Sequence, residues 1–126
     1  MTFALPLIAL AGCQTVGPAP VRGDYRAIGT EPFWDLTIGR DLVFTDRGIN
    51  VRVAEPAPRV RRGGTGQSYR GRRLGVTIAH APCSDGMSDR TYPDTVEITV
   101  DGRLYRGCGA NAAFYARASA EENRAR

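Results

Sequence analysis

Between residues 80 and 93 the chain reads HAPCSDGMSDRTYP, which places a histidine, a cysteine, two aspartates, two serines and a methionine in one short stretch. Three chemistries use such residues. His80, Cys83 and Cys108 are side-chain types that hold zinc, with Asp85 or Asp89 available as a fourth ligand, but no second closely spaced pair accompanies His80 and Cys83. Nucleophilic attack through Ser84, Ser88 or Cys83 would need a base, and His80 is the only histidine. Neither serine lies in a G-x-S-x-G context. The third chemistry is recognition, in which a loop pinned at its base presents Ser84, Asp85, Met87, Ser88, Asp89 and Tyr92 with little ordering cost on binding. Around Gly86, Asp85 and Asp89 fit the capping of turn amides better than a calcium loop. No catalytic residue and no cofactor is assigned, and the reading is of a protein that is not an enzyme.

Strands must position this stretch. Trp34, Leu36 and Ile38 alternate with Asp35 and Thr37, Ile49, Val51 and Val53 with Asn50 and Arg52, and Leu74, Val76 and Ile78 with Gly75 and Thr77. Period two of this kind predicts half-buried strands. His80 continues the phase of Leu74, Val76 and Ile78, which predicts a structural histidine facing the core side. Gly39-Arg40-Asp41 and Asp46-Arg47-Gly48 supply turns for a meander. Asp101-Gly102 predicts a two-residue hairpin turn that sets Val100 opposite Arg103, Ile98 opposite Tyr105, Glu97 opposite Arg106 and Thr95 opposite Cys108. With 15 glycines and 8 prolines there is little room for long helices. The expected fold is all-β, a small antiparallel barrel or barrel-like meander of about eight strands, as one domain over residues 24–110. The tail, residues 111–126, is expected to be helical for a turn or two and frayed.

All 17 basic residues are arginines and the formal charge is +4. Arginine-only usage is equally a mark of genome base composition, and no nucleic-acid partner is assigned. Six of them, Arg59, Arg61, Arg62, Arg70, Arg72 and Arg73, fall in the Pro- and Gly-rich segment 55–73, which suggests contact with anionic lipid or lipopolysaccharide phosphates.

The first thirteen residues, MTFALPLIALAGC, form an apolar run too short to span a bilayer. Leu10-Ala11-Gly12-Cys13 resembles the lipobox of bacterial lipoproteins. The resemblance implies a signal peptide over residues 1–12, lipidation and membrane anchoring at Cys13, a tether over 13–23, and a place in the bacterial cell envelope. Outer-membrane attachment facing the periplasm is the preferred location. With Cys13 lipidated, Cys83 and Cys108 remain as one pair in an oxidising compartment, where such pairs close disulfides.

Gly29-Thr30-Glu31-Pro32-Phe33-Trp34, Cys83-Ser84-Asp85-Gly86-Met87-Ser88-Asp89, Tyr92-Pro93, Val96 and Tyr105-Arg106-Gly107-Cys108-Gly109 occur in that order. This set resembles a family of small bacterial envelope lipoproteins or predicted membrane proteins of uncharacterised function, marked by EPFW, C-x-D-x-M-S with a following Tyr-Pro, and GCG. The match covers residues 25–109. It implies an envelope lipoprotein with paired cysteines and gives no activity. Pro32 and the aromatic pair Phe33 and Trp34 suit a barrel entrance, with Glu31 meeting an arginine and joining Trp34 and the 84–92 loop in one recognition surface. The expected function is a non-enzymatic binding or envelope-maintenance module with a protein partner. Two alternatives stand beside it. One is a metal-binding protein using His80, Cys83 and Cys108. The other, by analogy of size, strand count and location, is an inhibitor of lysozyme-like enzymes, although an SGxxY-type loop is missing and a basic protein matches a basic lysozyme poorly.

Overall fold

The computed structural model describes residues 25–126, so the leader, Cys13 and the tether expected over 1–23 lie outside the described residues. Nine strands form one antiparallel sheet: β1 (Tyr25–Thr30), β2 (Phe33–Ile38), β3 (Asp41–Asp46), β4 (Val51–Pro56), β5 (Arg61–Arg62), β6 (Gly66–Arg70), β7 (Leu74–Ala79), β10 (Asp94–Val100) and β11 (Arg103–Asn111). Between β7 and β10, the short strands β8 (Cys83–Ser84) and β9 (Thr91–Tyr92) pair with each other. Helix α1 (Ala112–Arg124) ends the chain. The sheet order is β4-β3-β2-β1-β11-β10-β7-β6-β5, and the sheet curls into a half-barrel. The all-β expectation holds, with nine strands in the sheet where about eight were expected.

The period-two residues fill the concave face. Leu36, Ile38, Leu42, Phe44, Val76, Ile78, Val96 and Ile98 are buried there, and each fully buried aliphatic or aromatic side chain of this size stabilises the fold by about 1.5–3 kcal/mol. Trp34 is 3% exposed and packs against Phe44 and Tyr105, so it is a core residue and takes no part in a recognition surface. Its indole lies across the backbone of β1 and β11, where a side chain on Gly29 or Gly107 would collide with it. Gly109 likewise leaves room for the Tyr25 ring.

One edge strand, β4, meets the far side of the sheet through one carboxylate. Glu55 on β4 accepts hydrogen bonds from the backbone amides of Arg73 at 3.1 Å and Leu74 at 3.2 Å, beside the β6–β7 turn. The chain then lays Ala57 against the core on its way to β5. At the turn after β3, buried Asp46 accepts from the Tyr105 hydroxyl at 2.8 Å and from the amides of Gly48 and Ile49. Burial pushes the Asp46 carboxyl up, but the Tyr105 and amide hydrogen bonds outweigh it and hold the group below its usual value.

Two expectations shift and one holds. Ile49 is 56% exposed and lies before the strand, because Asn50 takes a positive φ of 54° and β4 begins at Val51. The Asp101-Gly102 hairpin has the expected register, including Glu97 opposite Arg106, whose Nε lies 3.1 Å from the Glu97 carboxylate. The tail is a helix of 13 residues rather than a frayed turn or two, with the Asn111 side chain capping the Phe114 amide.

Candidate functional site

Residues 104, 106, 108 and 110 of β11 alternate with the core-facing Tyr105, so Cys108 and Ala110 point to the outside of the wall. They are buried because a second cluster covers them. Tyr92, Phe114, Tyr115, Cys83 and Ile28 pack around Cys108 and Ala110, with the Tyr92 and Phe114 rings 5.3 Å apart. Helix α1 is held there by these two aromatic residues and by the Tyr115 hydroxyl, which donates to the Arg26 carbonyl at 3.1 Å. Burial pushes the Tyr115 phenol up to about 12.

Cys83 and Cys108 form a disulfide with a Cα separation of 5.5 Å. It fastens the 83–92 excursion to the outer face of the wall, not over a barrel end. Across the loop, Asp85 acts as an internal hub. Its carboxylate accepts from the amides of Met87 at 2.9 Å and Ser88 at 2.8 Å, and from the hydroxyls of Ser88 and Tyr92. The Ser88 and Met87 amides hold the Asp85 carboxyl below the usual carboxylate range, against the opposing effect of burial. The Asp85 carbonyl accepts from Thr30 Oγ1 at 3.1 Å, tying the loop tip to the end of β1. Gly86 supplies the positive φ of 74° that the turn requires.

The loop is therefore rigid in its polar groups, and it turns an apolar side chain outward. Met87 is 71% exposed. Between the loop and the wall runs a groove of about 290 Å³ lined by Thr30, Glu31, Ser84, Asp85, Arg106 and the disulfide. Glu31 and Arg106 share this groove without pairing, since Arg106 pairs with Glu97. Phe33, on the same turn as Glu31, is 55% exposed.

The structure brings Glu31, Ser84 and Asp85 to one groove and places Met87 at the exposed loop tip, with Ser88 and Asp89 in the same loop. It removes two residues from the expected surface. Trp34 faces the core on the other side of the wall, and Tyr92 is 2% exposed beneath α1. Asp85 and Ser88 serve the loop's own structure. Thr30 and Arg106 were not among the expected site residues, although the hairpin register already places Arg106 on the same face as Cys108.

His80 does not face the core. It lies just past β7, exposed, with Nδ1 hydrogen-bonded to Asp94 at 2.8 Å, while Tyr25 donates to the other Asp94 oxygen at 2.8 Å. The Tyr25 phenol is driven strongly upward, first by burial and then by its bond to Asp94. An aspartate beside a histidine supplies two of the three members of a catalytic triad, but among the described hydrogen bonds no hydroxyl or thiol joins the imidazole. The sulfurs of Cys83 and Cys108 are joined to each other, so in this structure neither is a free thiolate beside His80. Among the described residues no group of three or more His, Cys, Asp or Glu is placed to hold a metal ion. Among them, too, no helix is long and apolar enough to cross a membrane. Compared with protein-family models, curated proteins and solved structures, the chain matches none of them.

Proposed function

We propose that the protein is a non-enzymatic recognition module of the cell envelope, tethered through Cys13, whose binding surface is the disulfide-anchored loop and the groove beside it. The observation that carries this reading is the combination of a loop cross-bonded through the Asp85 carboxylate and an exposed Met87 at its tip. A preformed loop loses little conformational entropy on binding, and methionine adapts to irregular apolar partners. Met87 and Phe33 offer two exposed apolar contacts beside the Glu31 carboxylate and the Arg106–Glu97 ion pair. That pattern fits a protein partner with a small apolar knob rimmed by polar groups.

The test is site-specific photocrosslinking in envelope-expressed full-length protein, with the probe at position 87 and a control probe at position 52 on the edge strand. The expected result is a discrete adduct from position 87 alone, lost in Asp85→Ala and in Cys83→Ala/Cys108→Ala. An adduct from both positions, or one indifferent to both variants, would overturn the reading. A lysozyme-like enzyme in the adduct would replace it with the inhibitor reading.

A further inference from the structure

A second groove, of about 820 Å³, lies on the outer face of β6, β7, β10 and β11. The sheet register dictates its floor. Ser68 pairs with Thr77 and Thr77 with Glu97 in one row, while Arg70 pairs with Gly75 and Gly75 with Thr99 in the next. Tyr69 packs toward the core, so Ser68 and Arg70 project outward. Gly75, having no side chain, lets the Thr99 hydroxyl lie low over the sheet beside Thr77, and half-exposed Leu104 closes one side of the groove with apolar surface.

The charges in this groove do not cancel. Each of its two carboxylates is already neutralised, Glu97 by Arg106 and Asp101 by a two-point contact from Arg73 at 3.0 and 2.7 Å. Arg70 and Arg72 remain at the rim, and among the described residues neither is in an ion pair. In sequence, no acid occurs from Pro56 to Ser84, and Glu55, which reaches this turn from β4 and bonds the Arg73 and Leu74 amides, is a single carboxylate against Arg70 and Arg72, so the balance stays positive.

We infer that this groove is an anion-binding site for an acidic saccharide, one carrying phosphate, sulfate or carboxylate groups on a hydroxylated ring. Guanidiniums pair with such anions through forked hydrogen bonds, the three hydroxyls meet ring hydroxyls, and Leu104 meets the apolar face of a ring. A concave floor lined with hydroxyls suits a chain of sugars better than a flat lipid surface, which would be met by protruding cations. The Glu97–Arg106 pair separates this groove from the loop groove, so the inference does not rest on the loop reading.

The experiment measures binding of a labelled sulfated hexasaccharide to the lipid-free protein, beside a neutral hexasaccharide, inorganic phosphate and phosphatidylglycerol vesicles. The expected result is salt-sensitive binding of the sulfated sugar over the other three, weakened about tenfold or more in Arg70→Ser/Arg72→Ser. In Thr77→Val/Thr99→Val, which keeps every charge, binding weakens by about threefold or more. Arg59→Ser/Arg61→Ser, outside the groove, leaves it within about twofold. Equal loss in the two arginine variants with no effect of the valines would overturn the inference in favour of diffuse charge. Preference for vesicles over the hexasaccharide would overturn it in favour of a lipid surface. Melting curves of each variant confirm that the protein tested is folded.

Discussion

Asp85 and Asp46 show how one residue type serves two ends of the same wall. Each is a carboxylate closing a turn through backbone amides, and each bonds a tyrosine hydroxyl. Both are held below the ordinary carboxylate value in the folded chain. Depressed values mean that their stabilisation is present at neutral pH and is lost as pH falls through the folded values, below about 4. Unfolding free energy measured by urea titration is therefore expected to drop on acidification below about pH 4. Asp46→Asn is expected to cost about 1–3 kcal/mol at pH 7 and to flatten that acid slope. A slope unchanged by the substitution would show that Asp46 is not the titrating group. The capping role of Asp85 was legible from Asp, Gly and Ser crowded into a turn. The burial of Tyr92 was not, because its cover comes from Phe114 and Tyr115, more than twenty residues away in a tail without an apolar stripe.

At the scale of elements, the hairpin register was legible in full, since Asp101-Gly102 admits one pairing of its strands. Strand β1 was not. Its core-facing positions after Tyr25 are the small residues Ala27 and Gly29, the latter directly under the Trp34 ring, so the alternation that marks a strand is missing from YRAIGT. The same packing predicts the effect of a methyl group. Gly107→Ala, whose new carbon would meet the Ile28 carbonyl and the Trp34 ring, is expected to lose about 1–3 kcal/mol and to alter tryptophan emission. Gly64→Ala, where nothing lies within 4 Å, is expected to stay within about 0.5 kcal/mol in the same denaturation series. The disulfide closes a separation of 25 residues, which the chain-entropy relation values at about 3.5 kcal/mol. Cys83→Ala/Cys108→Ala is expected to lower the unfolding free energy by about that amount, with proteolysis moving first to the 84–91 loop.

In the whole molecule, one curled sheet has a uniform core on its inner face and three kinds of surface on its outer face. Helix α1 and the pinned loop share one outer cluster, the loop groove lies beside them, and the basic groove begins beyond the Glu97–Arg106 pair. Removing residues 112–126 is expected to uncover Tyr92 and the disulfide and to loosen the loop. Trp34 emission, reporting the inner core, is expected to be unchanged. The all-β architecture was legible because the inner face obeys period two. The placement of the loop on the outer wall was not, since burial on both faces of β11 falls on the consecutive small residues Cys108, Gly109 and Ala110, which show no alternation.

The recognition reading depends on the loop being ordered before any partner arrives, and amide hydrogen exchange on the oxidised, unbound protein measures that order directly. Slow exchange at Met87 and Ser88, abolished by Asp85→Ala and by reduction of the disulfide, is the predicted result. Exchange of both amides at unstructured-peptide rates in the oxidised protein would contradict the account, because a loop without internal order has no preformed surface to offer.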